Sequence, residues 1–389
     1  MDKLIEIKNL KTFFHTEAGT VKAVNNVSFD IFKGEVLGIV GESGSGKSVT
    51  SLSINRLIPN PPGEIVEGSI LYNGTNLIDL SYEEMREYRG KDIAMIFQEP
   101  MTSLNPVIRI ERQMNEILIK HEGLSKEQAT IRSIEMLKSV GIPEPERRIR
   151  DYPHQFSGGM RQRIMIAMAL QCNPALLIAD EPTTALDVTI QAQILDLMME
   201  LKDKRKDAAI LLITHDLAVA YQIADRVLVM REGEIIESGN VDILREGPNH
   251  PYSRKLLDSL PGWKKREGEA RTSDSKVNAK VLDVKDLKVW FPIKKGLFRK
   301  TVGHIKAVNG VSLELKKGKT LALVGESGCG KTTTGKAIIQ LIKNTEGSIF
   351  YKGKSLKEYR GEAAKHLRSE IQIVFQDPFS SMNPRMRIG

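Results

Sequence analysis

Eight residues of this chain have the composition of a phosphate-binding loop. Gly41–Ser48 reads GESGSGKS and fits the pattern G-x-x-x-x-G-K-[ST]. Glycines let the backbone approach a phosphate closely, and the positive end of a following helix attracts the anion. We expect Lys47 to contact the β- and γ-phosphates of a nucleotide and the Ser48 hydroxyl to bind Mg²⁺. The other nucleotide-binding residues predicted here are Gly41, Ser43, Gly44 and Gly46.

The same pattern recurs as GESGCGKT at Gly325–Thr332. Lys331 and Thr332 take the positions of the phosphate-binding lysine and the Mg²⁺-binding hydroxyl. Cys329 replaces the serine of the first loop, and we interpret it as a packing residue and not as a redox switch. The remaining nucleotide-binding residues predicted in this loop are Gly325, Gly328 and Gly330.

Two carboxylates follow an apolar run about 130 residues after the first loop. The run Ala175–Ala179 (ALLIA) has the composition of a buried strand and ends in Asp180 and Glu181. Side chains at the carboxyl end of a parallel strand point into the crevice where ligands bind. We expect Asp180 to hold Mg²⁺, directly or through water, and Glu181 to polarise the water that attacks the γ-phosphate.

A histidine stands in the equivalent place after another apolar run. His215 follows AAILLIT at residues 208–214, where it can donate a hydrogen bond to the γ-phosphate and distinguish ATP from ADP. Taken alone, such a histidine also fits a capping or core role. Its order behind the loop and the carboxylates favours the phosphate role.

A second anion site is predicted at the start of a helix. Ser157, Gly158 and Gly159 belong to the sequence FSGGM and precede the helical run Arg161–Leu170. A serine and two glycines at a helix start favour an anion. One domain would then carry two phosphate-binding elements, the loop and this helix start. That arrangement is expected if two domains face each other and each contributes one element to a shared site.

These residues require strands and helices that hold them in place. Glu35–Val40 (EVLGIV) has the composition of a buried strand, and VTSLSINRLI after the loop has helical apolar spacing. Strand, glycine loop and helix in this order form the context that the loop pattern needs. The sequence therefore predicts an α/β fold.

Composition excludes several classes of protein. The 389 residues are 41% hydrophobic and 27% charged, which is ordinary for a globular chain. Mean hydropathy is −0.25. The sequence contains no uncharged apolar run of 18 residues, so no membrane-spanning helix is predicted. The net charge of +8 suits nucleic acid or an anionic membrane surface, but only 5% of residues are aromatic, which is few for a base-stacking surface. No nucleic-acid partner is expected.

The chain contains an internal duplication. Ala23–Ser48 is similar to Ala307–Thr332, and Ile93–Pro106 is similar to Ile371–Pro384. The polar stretch between the copies reads as a linker. The predicted domains are a complete one at 1–261, a linker at 262–280 and the first part of a second domain at 281–389.

The combined motifs resemble the ATP-binding subunits of ABC transporters. In that family GESGSGKS is Walker A, Gln98 the Q-loop glutamine, FSGGM the signature, ALLIADE Walker B, TALD at Thr184–Asp187 the D-loop and His215 the H-loop histidine. The tail GPNHPYSRKLLDSLPG resembles the dipeptide and oligopeptide importer branch. The resemblance implies a P-loop NTPase fold with a parallel-sheet core, an antiparallel β subdomain and a helical signature subdomain, followed by a truncated second copy.

The resemblance also implies further site residues. Gln98 and its counterpart Gln376 would contact Mg²⁺ and the γ-phosphate and couple them to membrane partners. An aromatic residue would stack on adenine, and position matching selects Phe14 in the first copy and Phe291 in the second. Phe13 and Trp290 are rivals, and core packing remains an alternative for all four.

As an expectation from the family, the chain energises import of peptides or related small solutes from the cytoplasmic face of the membrane. Its partners would be two permease subunits, a solute-binding protein acting through the permease, and a second ATPase domain. Its cofactors would be ATP and Mg²⁺. No iron–sulfur cluster is expected, because the tail region that carries cysteines in many relatives has none here.

The second copy departs from the family pattern. It stops just past Gln376 and lacks a signature, Walker B, D-loop and H-loop, so we expect no complete ATP site within this chain alone. We also expect an unpaired apolar strand before its phosphate loop, and low stability of residues 281–389 in isolation. Two alternatives stay open: an ATP-binding but catalytically incomplete fragment, or a tandem ABC ATPase that acts on ribosomes or DNA.

Overall fold

The computed structural model describes residues 2–98, 103–183, 188–259, 279–295, 300–326, 328–375, 383 and 386–387. The chain divides into two compact units, Met1–Glu267 and Gly268–Gly389. The predicted linker at 262–280 lies outside the described residues except for its last two positions.

The first unit alternates strands and helices along most of its length. Its strands are β1 (Lys3–Thr16), β2 (Gly19–Phe32), β3 (Val36–Val40), β4 (Gly63–Tyr72), β5 (Thr75–Asn76), β6 (Ile93–Ile96), β7 (Leu176–Asp180), β8 (Ala209–Thr214), β9 (Arg226–Arg231) and β10 (Glu234–Asn240). Its helices are α1 (Lys47–Ile54), α2 (Tyr82–Tyr88), α3 (Ile110–Glu122), α4 (Lys126–Ser139), α5 (Pro145–Arg148), α6 (Gly158–Leu170), α7 (Val188–Lys204), α8 (Leu217–Ile223), α9 (Val241–Glu246) and α10 (Pro251–Asp258).

A six-stranded sheet forms the centre of this unit. Its order is β10-β9-β3-β8-β7-β6, and every neighbouring pair is parallel except β9 with β10. All residues of β3, β7 and β8 are buried. Apolar runs buried on both faces are typical of parallel strands covered by other layers. The carboxyl ends of β6, β7 and β8 therefore meet at one edge.

A smaller antiparallel sheet of order β2-β1-β4-β5 packs its apolar side into the same core. β1 carries a bulge at Asn9, which adopts a left-handed φ of 50°. The Asn9 N–H donates to the Ser28 hydroxyl oxygen at 2.8 Å on β2. On the other side stands Gly68, where a Cβ would lie 2.7 Å from the Lys8 carbonyl oxygen, so only glycine fits.

A helical part is inserted between β6 and β7. Helices α3 to α6 share their own apolar core, which includes Ile110, Met114, Leu137 and Ile164. α4 begins with a capping box in which Ser125 and Gln128 satisfy each other's backbone N–H groups. The parallel core, the antiparallel sheet and the helical part confirm the predicted fold class.

The second unit repeats the beginning of the first. Its elements are β11 (Lys280–Lys295), β12 (Lys300–Lys316), α11 (Lys331–Ile338), β13 (Glu346–Tyr351), β14 (Lys354–Ser355) and α12 (Glu362–Glu370). The sheet order β12-β11-β13-β14 reproduces that of the first antiparallel sheet. The bulge recurs too, with Asp286 at φ 46° and its N–H donating to the Ser312 hydroxyl oxygen at 2.9 Å.

The apolar segment before the second loop is unpaired, as expected from the sequence. Residues 319–326 have no regular secondary structure and belong to none of the described sheets. In the first unit β3 is held by ladders to β8 and β9, and the described residues of the second unit contain no equivalent of that pair. The expected exposure of apolar residues is present, since Leu321 is 47% and Val324 89% exposed.

Candidate nucleotide-binding site

The loop Gly41–Ser48 connects β3 to α1 and lies against two neighbouring strands. α1 starts at Lys47, with Gly46 as its N-cap at a left-handed φ of 100°. A Cβ on Gly46 would lie 2.3 Å from the Ala23 carbonyl oxygen, and one on Gly41 would lie 2.2 Å from the Met230 carbonyl oxygen. Both glycines are therefore required by close backbone contacts as well as by their φ angles.

The Lys47 ammonium donates hydrogen bonds to oxygens of its own loop. Its Nζ donates to the carbonyl oxygens of Gly41 at 2.9 Å and Glu42 at 2.8 Å, and to the Ser45 hydroxyl oxygen at 3.3 Å. Burial lowers the pKa of Lys47 below its ordinary value, while the charges of Glu181 and Asp180 act in the opposite direction. A buried cation thus lies at the centre of the loop.

Ser48 and Asp180 meet across the site. The Ser48 hydroxyl donates to Oδ1 of Asp180 at 3.0 Å. Asp180 is the last residue of β7 and only 4% exposed. Burial raises the pKa of Asp180 to about 6, although the hydrogen bond from Ser48 opposes the rise. Hydroxyl and carboxylate oxygens are the donors that Mg²⁺ prefers, so this pair fits the predicted metal role.

Glu181 lies between two of the other predicted residues. Gln98 Nε2 donates to its Oε2 at 2.9 Å, and His215 Nδ1 lies 3.0 Å from its Oε1. Gln98 follows β6, Glu181 follows β7 and His215 follows β8, and β7 lies between β6 and β8 in the sheet. Glu181 has a left-handed φ of 47°, and its N–H donates to the Ile213 carbonyl oxygen at 2.8 Å. Positive φ is costly for glutamate and recurs at functional sites.

The predicted second anion site opens on the surface at the start of α6. The Ser157 hydroxyl oxygen caps the helix by accepting from the Met160 N–H at 3.3 Å, and Ser157 and Gly158 are exposed while Gly159 is half-buried. Gln162, one turn further on, is buried and donates to the carbonyl oxygen of Pro182. α6 is therefore tied to the residue after Glu181.

Sequence reasoning missed Gln162. The signal was a polar residue at the start of the apolar run RQRIMIAMAL, which the sequence alone does not separate from an exposed helix position. Its role is visible only once α6 is seen to pack beside the end of β7.

The structure leaves both Phe14 and Phe13 as candidates for stacking on adenine. Phe14 is half-buried, and a Cβ on Gly63 would lie 2.8 Å from its ring, so Phe14 packs tightly against β4. Phe13 pairs with Lys22, whose ammonium lies 5.7 Å from the ring centroid. The residue after Lys22 is the one that touches Gly46, so this part of the hairpin borders the loop.

The second loop reproduces the local contacts of the first. Lys331 Nζ donates to the carbonyl oxygens of Gly325 and Glu326, each at 2.6 Å, and lies 3.5 Å from Cys329 Sγ. Gly330 caps α11 at φ 98°. The φ angles of Gly325 and Gly328 are 148° and 83°. Thr332 is exposed, unlike half-buried Ser48.

The two aromatic candidates of the second copy differ in how accessible their rings are. Phe291 is 40% exposed, whereas the ring of Trp290 is covered by the Lys306 ammonium at 4.8 Å. Gln376 and the segment Thr184–Asp187 lie outside the described residues.

The profile of the family described as "ABC transporter" matches residues 24–184 and 308–389. The chain belongs to the ABC transporter family. The resemblance inferred from the sequence motifs is thereby confirmed. Members of this family bind ATP, so the chain is an ATP-binding protein of the ABC ATPase type.

Several curated ABC proteins are similar over the whole chain. The peptidoglycan transport ATP-binding protein YejF of Agrobacterium fabrum is 49% identical over 386 residues, which is 99% of this chain and 69% of that protein. The glutathione import ATP-binding protein GsiA of Pectobacterium atrosepticum is 44% identical over 412 residues, which is 100% of this chain and 66% of that protein. The chain thus spans about two thirds of the length of these relatives.

Solved ABC cassettes agree with the fold. The dimeric, post-hydrolysis structure of the cassette MJ0796 with ADP and Pi is 30% identical, with a TM-score of 0.55. It covers 61% of this chain and 98% of its own. Among the described helices, none is long and apolar enough to cross a membrane.

Proposed function

We propose that this chain hydrolyses ATP to energise the import of peptides or related small solutes through an ABC transporter. The observation that carries the proposal is the position of Glu181, held between Gln98 and His215 beside the Ser48–Asp180 pair. The names of the relatives, a peptidoglycan transporter and a glutathione importer, support the solute class.

The chemistry follows from the residues around the loop. Lys47 neutralises charge on the β- and γ-phosphates, which its buried place favours. Glu181 orients a water for attack and accepts its proton, while Gln98 and His215 hold the carboxylate. Mg²⁺, when bound by Ser48 and Asp180, would neutralise phosphate charge. Phe14 or Phe13 would stack on adenine.

Ser157–Gly159 would complete a site in a facing domain. A helix start with exposed glycines favours an anion, and this one opens on the surface of its own unit. We propose that it caps the γ-phosphate held by a facing domain, either in a second copy of this chain or in a partner ATPase. The dimeric state of the related MJ0796 structure supports such an arrangement.

The membrane partners would dock at a groove in the helical part. This groove of about 820 Å³ is lined by Val107, which is 78% exposed, by the basic residues Arg109, Arg112, Lys120 and Lys126, and by the acidic residues Glu111 and Glu116. Apolar surface beside an excess of positive charge suits a short amphipathic helix that presents a carboxylate. We propose that two permease subunits supply it at the cytoplasmic face, with a solute-binding protein on the other side of the membrane.

The test uses the full chain and its Glu181→Gln variant. Loss of a general base typically lowers a rate by about 10²–10⁴-fold. We expect ATP binding to persist and phosphate release to fall by that factor, with Glu200→Gln on α7 as the control. Wild-type turnover in Glu181→Gln would refute the role of Glu181.

The type of partner is tested separately. ATPase activity is measured after co-expression with the permease subunits of a related peptide importer, and again with ribosomes or DNA. Stimulation by the permease supports the import function. Stimulation by ribosomes or DNA without a permease would replace it with the alternative tandem ATPase.

A further inference from the structure

A segment near the end of the first unit touches the phosphate loop. Tyr252, the second residue of α10, is only 7% exposed, and its phenol oxygen accepts a hydrogen bond from the Glu42 N–H at 3.1 Å. This segment follows β10 and α9 and lies beyond residues 24–184, which the family profile matches in this unit. None of the predicted site residues came from it.

Local hydrogen bonds fix the segment on the β9–β10 hairpin. Glu237 on β10 accepts from the N–H groups of Asn249 at 2.6 Å and His250 at 3.3 Å. His250 caps α10, because its Nδ1 accepts from the Tyr252 N–H at 3.1 Å. Arg254 Nε donates to the Pro248 carbonyl oxygen at 2.7 Å. The backbone around Tyr252 is therefore held before the phenol reaches the loop.

The Tyr252 ring is also fixed. It belongs to the apolar cluster on one face of the main sheet, together with Val229 and Leu244. Arg231, the last residue of β9, places its guanidinium 5.1 Å from the centroid of the Tyr252 ring. A rigid aromatic ring can hold its hydroxyl at a defined point with little loss of entropy.

Glu42, which donates to the Tyr252 hydroxyl, also accepts a hydrogen bond from Lys47. Glu42 donates its N–H to Tyr252 and accepts from Lys47 Nζ with its carbonyl oxygen at 2.8 Å. The same carbonyl accepts from the Ser45 N–H at 3.2 Å. Both peptide groups of Glu42 are thus oriented by contacts outside the nucleotide itself.

We propose that Tyr252 is a positioning residue for the phosphate loop. It holds the Glu42 peptide in the orientation that places Lys47, so ATP affinity depends on a segment distant in sequence from the loop. The inference rests on the proposed phosphate-binding role of Lys47. Tyr252 itself touches neither ATP nor the reacting atoms.

The test is Tyr252→Phe in the full chain, which removes the hydroxyl and keeps the ring. One hydrogen bond of ordinary strength changes an equilibrium by about three- to tenfold. We expect the Kd for ATP, measured by calorimetry, to rise by that factor, and the melting temperature to fall by no more than about 2–4 °C. The matched control is Tyr72→Phe, because Tyr72 is equally buried at 6% and its hydroxyl donates to Asp92 at 3.3 Å, before the start of β6.

A second variant separates positioning from packing. Tyr252→Leu removes the ring as well, and it should lower the melting temperature and raise the Kd further. A wild-type Kd in Tyr252→Phe would overturn the proposal, even if Tyr252→Leu binds weakly. Lys47→Ala is measured alongside, since wild-type ATP affinity in that variant would mean that the proposed site is wrong and not only the role of Tyr252.

Discussion

Lys331 holds its phosphate loop with the same contacts as Lys47. Each Nζ reaches the carbonyl oxygens of the first two loop residues and the side chain two positions before it, a serine oxygen at 3.3 Å or a cysteine sulfur at 3.5 Å. The first loop is preceded by a fully buried strand and the second by residues without regular structure. The loop conformation is therefore specified by its own residues and by the following helix.

The two lysines should nevertheless differ in their effect on ATP binding. Ser48 beside Lys47 has Asp180 as a partner, whereas the second loop has no counterpart of Asp180 among its described contacts. Asp180 would give the first site a carboxylate ligand for the Mg²⁺ that accompanies ATP, and this ligand should make the first site the tighter one. We expect Lys47→Ala to abolish the tighter ATP site and Lys331→Ala to affect only a weaker one.

Equilibrium dialysis with radiolabelled ATP over a wide concentration range resolves the two sites. Lys33→Ala, at an exposed lysine directly after β2, is the charge-matched control. Equal losses in the two loop variants would contradict the difference expected from Asp180.

His215→Ala should slow hydrolysis without unfolding the protein. His215 lies 3.0 Å from Glu181 and its side chain is 56% exposed, so its removal should change stability by no more than about 0.5 kcal/mol. Loss of a group that holds the general base should lower turnover by about 10²-fold or more. Phosphate-release assays and thermal melts measure both, with exposed His366→Ala as the control. A large drop in melting temperature would instead assign His215 a structural role.

Gly46→Ala should destabilise the first unit as well as its nucleotide site. A left-handed φ costs a residue with a Cβ about 1–2 kcal/mol. The added Cβ would also lie 2.3 Å from the Ala23 carbonyl oxygen, which cannot move freely within β2. We expect the melting temperature to fall by at least about 2–8 °C. Gly247→Ala, where nothing lies within 4 Å of the new Cβ, should leave it unchanged.

The two cysteines should differ in reactivity. Burial raises the pKa of the Cys172 thiol to about 11 from its ordinary 9.0, so at pH 8 it holds roughly a hundredfold less thiolate than an ordinary thiol. Cys329 is exposed in the second loop. Iodoacetamide should modify Cys329 first, and ATP should slow that reaction if the loop binds nucleotide.

Peptide mass spectrometry of Cys172→Ser and Cys329→Ser proteins assigns each rate. Above about pH 11 the fraction of Cys172 thiolate should rise and its rate should approach that of an ordinary thiol, provided the fold persists. Faster labelling of Cys172 at pH 8 would contradict its burial.

The parts of the site that the sequence predicted are those built from local patterns. The loop, Asp180 and Glu181, and His215 each follow an apolar strand run, and the rule that parallel strands end at one edge brings them together. Gln98 and His215 both contact Glu181 in the structure. Their catalytic roles stay predictions.

The parts that were missed depend on distant contacts. Tyr252 reaches Glu42 across 210 residues, and Gln162 reaches Pro182 from another layer of the fold. Gln162 has no periodicity or motif that marks it, and the tail GPNHPYSRKLLDSLPG that contains Tyr252 indicates the importer branch but not a contact with the loop. The segment before the second loop shows the same limit, because its apolar composition fits a strand but does not supply the neighbours that a ladder needs.

The position of β3 in the sheet has a consequence for synthesis. Val36 pairs with Ile210 and Leu37 with Arg226, so both neighbours of β3 are encoded about 170–190 residues later. At translation rates of about 5–20 residues per second, roughly 10–35 s pass before β8 follows β3 out of the ribosome. During that interval the run VLGIV has no ladder partner, and the nascent chain carries an aggregation-prone segment. Because contacts of such long range also slow folding, synthesis of this chain should depend on chaperones that bind early.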